Sequence, residues 1–233
     1  DEWLNMFHDM LKYHLENTDP YDVVIVGDDA ALQFAMEYRE ELFPEIPVVF
    51  EGVNDEEYAM KAAENPLVTG IIEKLSVEKN IDMALKVNPT ADKVVAILDD
   101  SVTADAERKN FYNSAENYPE LEFSEINAAE LETARLQQAI SKVDDKTILI
   151  YIVMSKDGSG KQYTSDQALC MIVDYAKVPV YRMVEAGIGD GLLGGNVVSM
   201  YKSGEIAAQM AMDIANGTDL SLIHISEPTR LRR

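Results

Sequence analysis

The chain has 233 residues, 47% of them apolar and 27% charged, the balance of a globular protein with room for one large domain or two small lobes. Its 42 acidic against 20 basic side chains give a formal charge of −22, which repels nucleic-acid phosphates and anionic lipid and excludes both as expected partners. A single cysteine rules out an intrachain disulfide and a cysteine-rich zinc cluster, and the histidines, His8, His14 and His224, stand in no catalytic pattern.

The chain opens directly on a helical pattern in which Trp3, Met6, Phe7, Met10 and Leu11 share a face, so an upstream segment is expected. From there a short apolar run, a polar loop and an amphipathic helix repeat, the pattern of parallel strands joined by helical crossovers. Strands are predicted over residues 23–26, 48–50, 68–72, 93–98, 121–126, 147–153 and 178–181, with an eighth at 196–200. Pro47 precedes the second run, Asn65-Pro66 the third, and Pro179 falls in the seventh; a helix interior would not tolerate them. Helices are predicted to start after Asp28-Asp29, Asn54-Asp55, Ser76, Ser101-Val102-Thr103 and Ser165, whose side chains can accept bonds from free helical amides. Cys170, inside the apolar run 168–173, reads as a core thiol. No apolar stretch approaches the roughly 18 residues needed to cross a bilayer.

Two glycine motifs fail on context. Gly189 to Gly194 fits G-x-G-x-x-G, but a dinucleotide fingerprint opens a helix, and here a strand is expected to follow. Gly158-Ser-Gly-Lys161 resembles part of a phosphate loop, yet Ser155 stands where the first glycine is needed and Gln162 where a hydroxyl is needed, which leaves a surface turn. Asp99-Asp100 at a strand end matches the paired acids of flavodoxin-like phosphoacceptor domains, with helix capping as the plainer role for both. The segment Leu220 to Arg230 (LSLIHISEPTR) resembles a translated transposase-type sequencing adapter, so residues 220–233 are expected to be a read-through scar and are set aside in reading the fold.

Four segments carry a family resemblance: Pro20 to Leu32 (PYDVVIVGDDAAL), Pro47 to Asp55 (PVVFEGVND), Val68-Thr-Gly70, and Gly187 to Ser199 (GIGDGLLGGNVVS). They resemble the ABC-transporter substrate-binding proteins of the tryptophan-binding type and their relatives fused to bacterial sensor kinases, and the first and last are worded more like the sensor-kinase version. The resemblance implies a type I periplasmic-binding-protein fold, α/β with two Rossmann-like lobes on parallel sheets. Lobe one is then expected at 1–74 plus 190–219, lacking the family's first strand, and lobe two at 75–189. A missing strand would leave an unpaired sheet edge.

What the resemblance implies about function is extracytoplasmic binding of a small molecule by closure of a cleft, with no catalysis and no cofactor. The expected setting is the sensory domain of a membrane-tethered bacterial histidine kinase or diguanylate cyclase. The alternatives are the solute-binding component of an ABC transporter and a phosphoacceptor domain using Asp99 and Asp100. The ligand is expected to be an amino acid or a similar small polar or aromatic solute, and the protein partner a membrane-embedded signalling domain or a permease. Matched to the family, ligand contacts are expected at Asp28, Asp29, Ala30, Glu51 and Asn54 in lobe one, and at Ser101, Thr103, Ser155, Glu185 and Asp190 facing them.

Overall fold

A computed structural model describes residues 2–218 and the backbone of 224–226. In chain order its elements are α1 (Glu2–Glu16), β1 (Val24–Gly27), α2 (Asp29–Glu37), α3 (Arg39–Leu42), β2 (Val48–Val53), α4 (Glu56–Ala62), β3 (Val68–Glu73), α5 (Val77–Val87) and β4 (Lys93–Leu98). There follow α6 (Val102–Ser114), β5 (Glu122–Asn127), α7 (Thr133–Ser141), β6 (Thr147–Tyr151), α8 (Ser165–Tyr175), β7 (Val180–Arg182), α9 (Met200–Ala215) and β8 (His224–Ser226). The described residues form two compact units, one from residues 2–73 with 201–218 and 224–226, the other from Lys74–Met200.

The first unit holds a four-stranded parallel sheet in the order β1-β2-β3-β8. All six residues of β3 are buried, as expected of a parallel strand covered on both faces. On one side Leu32, Phe50, Val53, Ala59 and Ile72 pack together; on the other Val49 and Ile71 meet Ala207 and Ala211 of α9. Pro47 lies just before β2, where it loses no ladder donor, and its carbonyl accepts the Val24 N–H at 2.9 Å. Among the described residues β1 pairs only with β2, so its other side is an open edge with Ile25 exposed. Of the expected adapter scar, residues 220–233, all but the backbone of 224–226 lies outside the described residues; that short piece runs parallel to β3.

The second unit holds the parallel sheet β5-β4-β6-β7. One face is filled by Val94, Ala96, Leu98, Ile148, Ile150 and Phe111, the other by Ile97, Leu149, Tyr151, Leu136, Ile140 and Ile172. Alternate residues of one strand thus serve opposite cores. Helix starts follow the polar punctuation: Asp28, Asp55, Ser76 and Ser101 are N-caps. For α8 the cap is Thr164, one residue earlier than predicted, in a capping box with Gln167.

Two expectations are corrected. Residues 196–200 form no strand; only Val198 makes an isolated bridge, to Val184, because the backbone of Asn196 is taken by the Asn80 side chain. Cys170 is exposed and not in the core, since helical spacing turns Ala168, Met171 and Ile172 inward and leaves Cys170 on the outer face. Strand β7 begins at Val180, so Pro179 stands just outside it, and β6 ends at Tyr151, two residues short of the prediction.

Candidate functional site

In a parallel sheet every strand-to-helix loop leaves from the same edge, so the carboxyl ends of β1, β2 and β3 bring their following residues together. In the first unit these are Asp28 and Asp29, Glu51 and Asn54, and Glu73. Asp28 caps α2 with φ of 77°, a left-handed conformation that aspartate tolerates better than most residues, and its Oδ1 accepts the Asp29 N–H at 2.7 Å. The backbone of Asp28 is tied to Glu51 O at 2.9 Å.

Asp29 is buried, and its Oδ1 accepts the backbone N–H groups of Asn54 at 3.1 Å and Asp55 at 2.9 Å. It therefore clamps the β1–α2 turn to the β2–α4 turn. Burial raises its carboxyl above the ordinary range, against the lowering effect of those two amides. Asn54 in turn donates from Nδ2 to Glu73 O at 3.4 Å. Ala30, in the first turn of α2, lines instead a groove of about 690 Å³ between α1 and β1, with Phe7, Leu11, Ile25 and Phe34.

Glu73 was not among the expected site residues. It is buried, its Oε1 has no hydrogen-bond partner, and burial first, then the charges of Glu51, Asp28 and Asp29, push its carboxyl up to about 7. Its sequence signal was its place directly after the apolar run 68–72, the same strand-end logic that selects Asp28 and Glu51.

In the second unit Asp99 directly follows β4 and is fully buried. Its Oδ2 accepts both the backbone N–H and the hydroxyl of Ser155, at 2.7 and 2.6 Å, and its Oδ1 accepts the Ser101 N–H at 3.0 Å. Burial opposes ionisation, but these bonds outweigh it and hold the carboxyl below its ordinary range. Asp99 is thus a structural tie between the β4 and β6 ends. Asp100 is exposed and pairs with Lys156 at 3.0 Å.

Ser101 accepts the Ala104 N–H as the α6 cap, and Thr103 sits in that helix's first turn. The Glu185 N–H bonds Val198 O at 3.0 Å, and Asp190 lies exposed in the glycine-rich return, where Gly187, Gly189 and Gly191 all have positive φ. That return opens no helix, as the failed dinucleotide motif requires. A further strand-end residue outside the predicted set is Arg182, buried at the end of β7 with its guanidinium 4.3 Å above the Tyr151 ring and its Nε unpartnered.

Gly158 to Lys161 is a turn organised by buried Asp157. Its Oδ1 accepts the Ser159 N–H and hydroxyl and the Lys161 N–H, while Oδ2 accepts from Thr133 and Tyr163. No group of three or more His, Cys, Asp or Glu side chains is placed to hold a metal among the described residues, and no described helix is long and apolar enough to cross a membrane.

Two parallel α/β sheets with polar groups at their carboxyl ends define the class: the fold is that of the type I periplasmic binding proteins. The model of one family, the ABC transporter substrate binding proteins, matches residues 15–230, and the chain belongs to that family, a solute-binding and non-enzymatic class. An ABC domain from Streptococcus pneumonia in complex with L-Trp is similar over 96% of this chain and 75% of its own, at 14% identity and a TM-score of 0.69. A conserved domain protein from Vibrio cholerae matches over 97% and 74%, at 16% identity and a TM-score of 0.69. A substrate binding protein with adhesive properties from Clostridium difficile, in its ligand-free open form, matches over 97% and 74%, at 17% identity and a TM-score of 0.63. Comparison with curated proteins gives no significant match.

Proposed function

We propose that the chain is the extracytoplasmic ligand-binding domain of a bacterial membrane signal-transduction protein, a histidine kinase or diguanylate cyclase, and senses a small solute. The observation that carries a binding role is a set of buried polar atoms at strand ends that the protein leaves without partners, Asp29 Oδ2, Glu73 Oε1 and Arg182 Nε. Buried polar atoms without partners are costly, and at strand ends they are expected where a ligand completes their bonding; the described residues hold others away from the strand ends, such as the Arg39 guanidinium. Contacts from Asp28, Asp29, Glu51, Asn54, Ser101, Thr103, Ser155, Glu185 and Asp190 belong to this reading, whereas Ala30, in its groove, has the weakest claim.

Signalling needs a ligand that favours one conformation over another, because only differential affinity moves an equilibrium. Closure of two lobes, the change the resemblance implies, would be relayed to attached membrane helices. The second reading is the solute-binding component of an ABC transporter, which the family itself favours. The wording of residues 20–32 and 187–199 supports sensing over transport.

A thermal-shift screen of amino acids, amines, peptides and sugars tests the binding role, since a ligand for the native state raises the melting temperature by mass action. A rise of several degrees with one solute class is expected; no rise with any class counts against binding. A membrane span and kinase or cyclase domain downstream in the intact gene supports sensing, and a stop codon soon after the last helix supports transport.

A further inference from the structure

The carboxyl ends of β1, β2 and β3 gather Asp28, Asp29, Glu51 and Glu73 on one edge of the first unit's sheet. Acidic loops are common and by themselves mean little. What sets this cluster apart is that Asp29 is only 1% exposed and Glu73 only 2%, and each keeps one carboxyl oxygen without a hydrogen-bond partner. A buried carboxyl with an empty oxygen is destabilising unless something else supplies the bond. Gly27 leaves room for the arrangement: a Cβ there would lie 3.0 Å from Glu51 Oε1.

We propose that Asp28, Asp29, Glu51 and Glu73 form a subsite for the ammonium group of a small organic amine. This inference rests on the small-molecule-binding reading above and names the chemical class of its ligand. An ammonium group offers three donors and no acceptor, which suits carboxylate oxygens at Asp29 and Glu73 that have nothing donating to them. Its charge offsets the mutual repulsion of four acids held close together. A coordinated metal is a poorer fit, since the described acids include no group of three spaced to hold one.

The site also binds and releases a proton. The groups facing Glu73 are Glu51 from β2 and Asp28 and Asp29 from the β1–α2 turn, with Lys74 next in the chain, and its carboxyl titrates at about 7. At pH 6 the empty site therefore holds Glu73 mostly protonated. A cation favours the carboxylate form, so amine binding at pH 6 expels that proton; at pH 8 Glu73 is already mostly ionised and little is released.

Isothermal titration calorimetry on the full chain tests this with putrescine, spermidine and L-lysine, with 1,4-butanediol and succinate as neutral and anionic counterparts, and with calcium and magnesium chloride. Runs at pH 6 and 8, each in two buffers of different ionisation enthalpy, count protons. The expected result is binding by at least one amine but not by the diol, succinate or the metal salts, with proton release at pH 6 that is largely gone at pH 8. Glu73→Gln should weaken the amine at least tenfold at pH 8 and abolish the proton release at pH 6. Unchanged amine affinity in both Glu73→Gln and Asp29→Asn overturns the inference, as does binding by the metal salts without amines. Should the variants not fold, absence of proton release at pH 6 in the parent protein overturns it equally. Binding only by neutral or anionic solutes sinks the ammonium subsite and leaves the binding role standing, whereas a chain that binds no solute of any class loses both.

Discussion

Asn80 and Asn196, 116 residues apart, are joined in both directions: Asn80 Nδ2 donates to the Asn196 carbonyl at 2.8 Å, and the Asn196 N–H donates to Asn80 Oδ1 at 3.2 Å. Asn80 is fully buried in α5 and also donates to Ser76 O at 2.8 Å. This side chain thus adds to the backbone bonds that hold the glycine-rich return, such as Leu193 N–H to Val180 O at 2.8 Å. Asn80→Ala is expected to destabilise by about 2 kcal/mol, because it strips the Asn196 N–H and carbonyl of this partner and removes the side-chain bond to Ser76 O. Gly195→Ala should act on the same bond, since a Cβ there would sit 2.3 Å from Asn80 Oδ1. Urea melts of both variants, with amide exchange across 187–198, check this; protection there equal to the parent's would contradict it.

The raised carboxyl of Glu73 has a consequence for stability with a definite sign. Its ordinary value of 4.5 applies in the unfolded chain and about 7 in the folded one. Between those limits the folded state holds more protons, so this residue's contribution falls as pH rises from about 4.5 to 7 and beyond. Glu73→Gln keeps the shape of the protonated form and removes the titration. At pH 8 it is expected to be more stable than the parent by about 3 kcal/mol, the scale of that shift, and nearly equal at pH 4. Denaturant midpoints across this range decide it; an equal difference at both ends would show that Glu73 is not the group responsible.

Asp99 should behave in the opposite way. Its folded carboxyl is held below the ordinary range by Ser155 and Ser101, so its stabilisation is present above about pH 4 and is lost as pH falls through its folded value. Asp99→Ala would leave the Ser155 and Ser101 amides unbonded and is expected to cost about 3 kcal/mol. Incubation with acetyl phosphate and magnesium is expected to leave the chain unlabelled, and a hydroxylamine-labile phosphoryl group at Asp99 or Asp100 would favour the phosphoacceptor reading.

Among the described residues β1 pairs only on its β2 side, and for the chain as given its other edge predicts self-association. Its unpaired side lies beside the apolar groove formed with Leu4, Phe7 and Leu11 of α1, an arrangement that invites pairing with another strand. Ile25→Lys places a charge on that exposed strand and is expected to shift sedimentation towards monomer at concentrations where the parent associates. A parent that stays monomeric throughout would refute the prediction.

Strand and helix order could be read from the sequence because each apolar run is short, bounded by proline or by a capping residue, and separated by one amphipathic helix. Pro47, Asn65-Pro66, Ser76 and Ser101 mark boundaries by local chemistry alone, and the structure keeps all four. Local signals failed where partners lie far away in the chain. The run at 196–200 has strand composition, but Asn80 takes the Asn196 backbone, and nothing near residue 196 announces this. Cys170 lies in an apolar run whose outward face only helical phase assigns.

The strand-end positions Asp28, Asp29 and Glu51 were legible for the same reason as the strands, since an acid directly after an apolar run lands on the sheet's carboxyl edge. What distinguishes them is not local. Asp28 is exposed on its cap, while Asp29 clamps two turns across 25 and 26 residues; Glu73, with an identical signal, is sealed in with an empty oxygen. The two titrations differ accordingly: both carboxyls are buried, but Asp99 meets donors from the loop after β6, 56 residues away, and is held low, whereas Glu73 is driven up by burial and then by the neighbouring acids. Sequence by itself determined which residues reach the binding edge of each sheet, because period and punctuation are local. Only the tertiary structure decided which of them are buried, bonded or left wanting a partner, because burial and hydrogen bonding depend on segments that the chain brings together from afar.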